Sequence, residues 1–324
     1  MKIGKIERNE YPIGLIVDLH DYCNARCKMC PYDSLKDKIH HGFMDLSLYT
    51  KIIDDFSCLM RDYNFQGVLT YCNMGEPFIL DNLEFFTKYA EERGIWVYLN
   101  TNANLMTPEK VNKLIDAGFK GAFNISFHAA TPEVYKDIMG LEIEKTKRNI
   151  EYLIQRYPKE RISFNILNYH WPRGEEEKLR YLLSSWGFET YVNFPISRGG
   201  LVPLRRRYVK RLAGCGPDRV LYQMVVCHNG EVLLCCNDMG RREIVGNLRE
   251  KTIHEVWNGD KFRLYLEQIY LGKPSHPYMI CHSCDESVSF WSLRRIIKSI
   301  IPLRVIKRIR GKRETRWGIG RRIQ

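Results

Sequence analysis

Cys23-Asn24-Ala25-Arg26-Cys27-Lys28-Met29-Cys30 sets three thiols within eight residues, separated by three and then by two others. The stretch follows the apolar run Ile13, Leu15, Ile16 and Val17, which reads as a buried strand. Three thiols this close make a metal site. Three ligands suit a cubane iron-sulfur cluster with one iron left open, whereas structural zinc needs a fourth protein ligand to close its tetrahedron. A zinc knuckle or plain buried thiols remain the competing readings of the spacing alone.

Outward from that loop, helical and strand periodicities alternate. Helices are expected over 46–61, 83–93, 108–117, 142–157 and 175–186, and strands over 67–71, 95–100, 121–126, 161–167 and 190–194. With the strand before the cysteines this makes six β/α units, hence a parallel sheet whose ligands bind at the carboxyl ends of its strands. Small polar residues gather at those ends: Asn73-Met74-Gly75-Glu76-Pro77, Thr101 and Asn102, Ser126 and His128, Asn165 and Asn168.

The cysteine spacing and this strand-end series resemble the radical S-adenosylmethionine (SAM) superfamily. The resemblance implies a partial (β/α)6 barrel over about residues 11–197, and SAM chelating the open iron of a cluster on Cys23, Cys27 and Cys30. Asn73 to Pro77 is similar to the family's Gly-Gly-Glu motif with Met74 in place of the first glycine. Gly75 would then let the backbone approach SAM, and Glu76 would accept from its ammonium. Thr101, Asn102, Ser126 and Asn165 suit its ribose and carboxylate, and Met29 its adenine. His128 is either a proton-transfer or hydrogen-bonding group or a structural residue.

A second constellation begins at Cys215. His228-Asn-Gly-Glu231 is a turn signal between the apolar runs 221–226 and 231–234, so a hairpin delivers Cys235 to a strand end. Helices over 252–257 and 261–271 lead back to Cys281-His-Ser-Cys284. The pattern resembles the twitch form of the SPASM/twitch group. That implies a small C-terminal β-hairpin/helix domain holding one closed [4Fe-4S] cluster on Cys215, Cys235, Cys281 and Cys284, and two clusters in the whole chain. A four-cysteine zinc ribbon is the rival. Cys227 and Cys236 fall outside the pattern.

The expected division is a core at 1–200, an auxiliary domain at 201–289 and a basic tail at 290–324. Composition places the 324 residues among ordinary globular chains, with 44% apolar and 27% charged residues. Eleven cysteines without a signal peptide point to a reducing cytoplasm. The net charge of +12 is uneven: residues 290–324 hold twelve Lys or Arg against Glu314 alone, so the remainder is nearly neutral. A nucleic-acid partner is not expected. The tail's apolar stripe (Trp291, Ile296, Ile297, Ile300, Ile306, Ile309) reads either as a peripheral anchor on the inner face of the membrane or as a docked helix with a solvated basic end. Arg205 to Arg207, Lys210 and Arg211 read as a solvated loop or a clamp for a phosphorylated substrate.

The resemblance implies a 5′-deoxyadenosyl radical that takes a hydrogen atom from an unactivated C–H bond, fed by an electron donor such as flavodoxin or ferredoxin. A closed auxiliary cluster favours oxidation; a thiol donor, Cys72 or Cys236, would give epimerisation instead. With 22 residues ahead of Cys23, a small polar substrate is expected, a sugar or aminocyclitol, lipid-linked if the tail is an anchor. The alternatives are a peptide-modifying maturase of the same group and a zinc-bound nucleic-acid module.

Overall fold

The computed structural model describes residues 2–4, 6–204 and 207–290. Six strands run parallel in chain order: β1 (Gly14–Val17), β2 (Val68–Tyr71), β3 (Trp96–Thr101), β4 (Ala122–Ser126), β5 (Ile162–Leu167) and β6 (Val192–Asn193). The connections carry α1 (Leu46–Asp62), α2 (Leu83–Glu91), α3 (Pro108–Asp116), then α4 (Pro132–Met139) with α5 (Ile143–Arg156), and α6 (Glu175–Ser185). This is the partial (β/α)6 barrel. β6 is shorter than the expected 190–194 because it is the sheet's edge, and the Thr190 carbonyl accepts from Arg180 at 2.9 Å instead of pairing.

Strand alternation separates two faces of the sheet. Leu69, Tyr71, Val97, Leu99 and Ile125 are buried under the helices, where the Tyr71 hydroxyl meets that of Tyr49 on α1 and donates to the Phe86 carbonyl on α2 at 3.0 Å. The opposite face carries Thr70, Tyr98, Asn100, Asn124, Ser126 and Asn165, all half-buried. Closed α/β barrels fill this layer with branched apolar side chains. Here it is small, polar and only partly covered.

The expected hairpin, β8 (Gln223–Val226) and β9 (Glu231–Leu233), does not form a sheet of its own. β8 pairs parallel to β1, with Gln223 opposite Gly14 and Val226 opposite Val17, and β10 (Ile244–Asn247) continues outward from β9. One nine-stranded sheet results, in the order β10-β9-β8-β1-β2-β3-β4-β5-β6. A separate antiparallel pair, β7 (Leu212–Cys215) with β11 (Ser287–Ser289), sets Ser287 opposite Cys215. α7 (Ile253–Trp257) and α8 (Asp260–Leu271) complete the segment. α7 is bonded to α1, its Ile253 N–H donating to Asp55 at 2.6 Å.

α4 was not anticipated, although Thr131-Pro132 and Gly140 are start and stop signals. Its N-terminus is capped from a distance: Glu175 accepts from the Ala130 and Thr131 N–H groups at 2.6 and 2.9 Å. No helix among the described residues is long and apolar enough to cross a membrane. The tail and its amphipathic stripe lie outside the described residues, as do Arg205 and Arg206.

Candidate functional site

The first cysteine loop leaves β1 and is held by backbone. Its Arg26 and Lys28 N–H groups donate to the Met139 and Ile138 carbonyls, both at 2.9 Å, filling the open carbonyls at the end of α4. The Cys23 N–H donates to the Tyr32 hydroxyl at 3.0 Å, and the Cys30 N–H to the Cys27 carbonyl at 2.9 Å. Burial pushes all three thiols up, and each of Cys23 and Cys30 raises Cys27 further. Among the described residues no three His, Cys, Asp or Glu side chains gather as tightly as the ligands of a single ion. Three thiols without a fourth donor in the loop fit a cluster with one open iron.

Glu76 joins the loops of β2 and β3. It is 2% exposed; Oε1 accepts from the Thr101 hydroxyl at 2.6 Å and Phe78 N–H at 3.2 Å, and Oε2 from the Asn102 N–H at 2.7 Å. Burial pushes its carboxyl up to about 7 against these donors. Asn102 in turn donates to Asn24 of the cysteine loop at 2.9 Å and accepts from the Asn104 N–H at 3.0 Å. Asn149 of α5 closes the network on the Ala103 and Asn104 carbonyls at 2.8 and 3.0 Å. Thr101, Asn102 and Glu76 therefore partner one another, and Oε2 of Glu76, which accepts one hydrogen bond, keeps room for a second donor.

At Gly75 an added Cβ would lie 2.5 Å from the His20 carbonyl oxygen, so the glycine lets its loop pass directly against the segment that leads into the cysteines. Met74 packs with Tyr32, Leu35 and Met239 beside Cys23 and Cys30, and Met29 is 5% exposed within the main core. Ser126 and Asn165 sit side by side on β4 and β5, half-buried, and make no side-chain hydrogen bond among the described residues. Of the expected polar set, they are free to meet a ligand. Cys72, at a left-handed φ of 66°, is 5% exposed, and burial holds its thiol well above the ordinary range.

His128 is 4% exposed; its Nδ1 accepts from the Leu167 N–H at 3.3 Å, and burial alone lowers it to about 4. That enclosure fits the structural reading. The sequence passed over Asp18 and Asp21, both buried directly behind β1. Asp18 accepts from the Asn73 and Met74 N–H groups at 2.6 and 3.1 Å. Asp21 accepts from the Gly42 N–H at 3.0 Å and pairs with Arg241 at 2.5 Å. Charged residues at the end of an apolar strand were the available signal.

The second thiol set is assembled by the β7–β11 pair and the loop after β9. Cys215, Cys281 and Cys284 are near enough for their charges to interact, as are Cys215 and Cys235. Asn237, 2% exposed, points its backbone N–H at Cys235 Sγ (3.5 Å) and its Nδ2 at Cys284 Sγ (3.8 Å). Four thiols fit a closed cluster. Cys236 stands next to this set; the Cys235 hydrogen bond, then Arg219 and Arg198, hold it below the ordinary thiol range despite burial. Beyond both sets, an open cleft of about 510 Å³ lies between Lys28 of the cysteine loop, Asp137 of α4 and His170 after β5.

Two consequences are measurable. Glu76→Gln turns an amide donor toward N–H or O–H donors, which costs about 1–3 kcal/mol; the urea midpoint falls, and an unchanged midpoint contradicts the network. His128 is depressed on folding from 6.5 to about 4, so its contribution is complete above pH 6.5 and is lost as pH falls toward 4. At about 1.4 kcal/mol per unit this is about 3 kcal/mol. His20, also lowered to about 4 by burial, titrates alongside it. His128→Gln should flatten, without abolishing, the fall in urea midpoint between pH 6.5 and 4; superimposable pH profiles would contradict this.

Comparison with known proteins agrees with this geometry. The family model described as Radical SAM superfamily matches residues 17–182, and that described as SPASM, iron-sulfur cluster-binding domain, matches residues 215–285. The S-adenosyl-L-methionine-dependent 2-deoxy-scyllo-inosamine dehydrogenase of Niallia circulans is 23% identical over 276 residues, 83% of this chain and 91% of that protein. Among solved structures, BtrN in complex with AdoMet and 2-DOIA superposes with a TM-score of 0.55 at 21% identity, covering 80% of this chain and 87% of BtrN. Streptococcus suis SuiB bound to precursor peptide SuiA gives 0.62 at 16% identity, covering 86% and 70%; both likenesses are of fold. The chain belongs to the radical SAM superfamily, with an iron-sulfur cluster-binding segment of the SPASM type following its barrel.

Proposed function

We propose that this radical SAM enzyme oxidises a small polar substrate, a sugar or aminocyclitol, using two [4Fe-4S] clusters. The observation that carries the reading is the continuation of the barrel sheet through β8 and β9, which attaches a four-thiol set beside the three-thiol set. When bound, SAM and the clusters supply a hydrogen-abstracting 5′-deoxyadenosyl radical and an acceptor for the substrate's second electron. Cys23, Cys27 and Cys30 hold the cluster whose open iron takes SAM. Cys215, Cys235, Cys281 and Cys284 close the other.

The chain's own residues orient and enclose. The Glu76, Thr101, Asn102 and Asn24 network fixes the cysteine loop against the β2 and β3 ends. Ser126 and Asn165 offer hydroxyl and amide groups from the polar inner face, and that face suits hydroxylated or aminated rings better than apolar ones. The relative's named substrate, 2-deoxy-scyllo-inosamine, has this chemistry. Cys72 and Cys236 are the candidates for returning a hydrogen atom, which would give epimerisation. A four-thiol set on the segment joined to the barrel sheet favours oxidation.

Anaerobic reconstitution tests the reading, with about eight irons per chain expected. Dithionite and SAM should yield 5′-deoxyadenosine, and 2-deoxy-scyllo-inosamine serves as the first substrate probe. Cys27→Ala should abolish SAM cleavage. Cys284→Ala should retain cleavage while losing ketone formation more than tenfold. Zinc in place of iron, or no cleavage with both clusters intact, would overturn the enzyme reading; epimerised product would replace oxidation with a thiol-donor route through Cys72 or Cys236.

A further inference from the structure

The loop after β6 runs between the two thiol sets. Ser197 is fixed at one end, its N–H and hydroxyl donating to Asp285 at 2.9 and 3.0 Å. Gly199 and Gly200 follow at φ of 63° and 84°; a Cβ on Gly200 would lie 2.8 Å from Ser283 Cβ, so the chain passes directly against the Cys281–Cys284 turn. Leu201 then packs into the group of Tyr32, Leu35, Met74 and Met239 that abuts Cys23 and Cys30. A single five-residue stretch thus touches the surroundings of both sets.

Arg198 is the second residue of this stretch, half-buried, at a left-handed φ of 49°. Its Nη1 donates to Asn237 Oδ1 at 3.3 Å, and Asn237 is the residue that points at Cys235 and Cys284. The neighbouring arginines are neutralised: Arg219 by Glu286 at 2.5 Å, Arg241 by Asp21 at 2.5 Å and Arg242 by Asp238 at 3.8 Å. Arg198 has no carboxylate partner among the described residues.

We propose that Arg198 is a positioning residue in the electrostatic sense, a guanidinium that raises the reduction potential of the auxiliary cluster on Cys215, Cys235, Cys281 and Cys284 through Asn237. Reduction adds negative charge to a cluster, and an uncompensated cation in a poorly solvated place stabilises the reduced form. Through Asn237 the same guanidinium holds the side-chain amide whose Nδ2 donates to Glu286 at 2.8 Å and lies 3.8 Å from Cys284 Sγ, and hydrogen bonds to cluster sulfurs act in the same direction. Electron transfer between substrate and auxiliary cluster would then be poised by a residue that ligates neither cluster. This rests on reading the two thiol sets as clusters.

The test is a redox titration of the reconstituted full chain, followed by electron paramagnetic resonance, for native protein and for Arg198→Gln, Arg198→Met and Arg198→Lys. Both neutral variants should make the auxiliary cluster about tenfold harder to reduce, about 59 mV for a one-electron couple, and leave the other cluster within about threefold of native. Arg198→Lys should stay within about threefold of native. Iron content per chain certifies assembly, and the two neutral variants guard against one that misfolds. An auxiliary midpoint that does not move, or an equal shift of both clusters, would overturn the proposal with the clusters left in place. Native chain that binds no iron would overturn the underlying reading as well.

Discussion

The pairing of β8 with β1 is the contact on which the rest depends. Residues 223–226 lie beside 14–17 although more than two hundred positions separate them, and the parallel register is continued by the Asp18 N–H donating to the Val226 carbonyl at 2.9 Å. β1 is thereby buried on both edges, and all four of its residues are buried. The strand that launches the first cysteine loop is thus internal to the sheet, and the segment that gathers the second set is built onto it. Asp21 and Arg241 repeat the connection just beyond the strand end. Uncoupling them would leave a buried carboxylate without its cation, an expensive arrangement in a low dielectric.

Within that frame the site is organised by backbone groups more than by side chains. The α4 carbonyls orient the cysteine loop, the Tyr22 carbonyl takes the Glu76 N–H at 2.9 Å, and Gly75 lets these segments touch. Such contacts leave side chains free for chemistry, and the polar inner face of β4 and β5 is where free side chains are found. Glu76 shows the converse: its three internal hydrogen bonds make it a keystone between loops.

What the sequence revealed and what it hid divide by range. The cysteine spacing, the strand and helix periods and the Asn229-Gly230 turn are local signals, and β1 to β5 fall within a residue or two of expectation. The auxiliary hairpin was legible as a hairpin, yet its attachment to β1 was not, because a four-residue apolar run does not name its partner. The same holds for β7 with β11, for Glu175 capping α4, and for the His20 carbonyl that explains Gly75. Thr101, Asn102 and Glu76 were singled out by pattern; their mutual bonding appears only when two strand ends come together.

The central claim is that the two thiol sets differ in kind, one leaving an iron open and the other closing its cluster. ⁵⁷Fe Mössbauer spectroscopy of the reconstituted chain, with and without SAM, tests it most directly. The account predicts that about one iron in eight changes its spectrum on adding SAM, while the cluster on Cys215, Cys235, Cys281 and Cys284 is unmoved. A spectrum indifferent to SAM, or one in which both clusters respond, would contradict it.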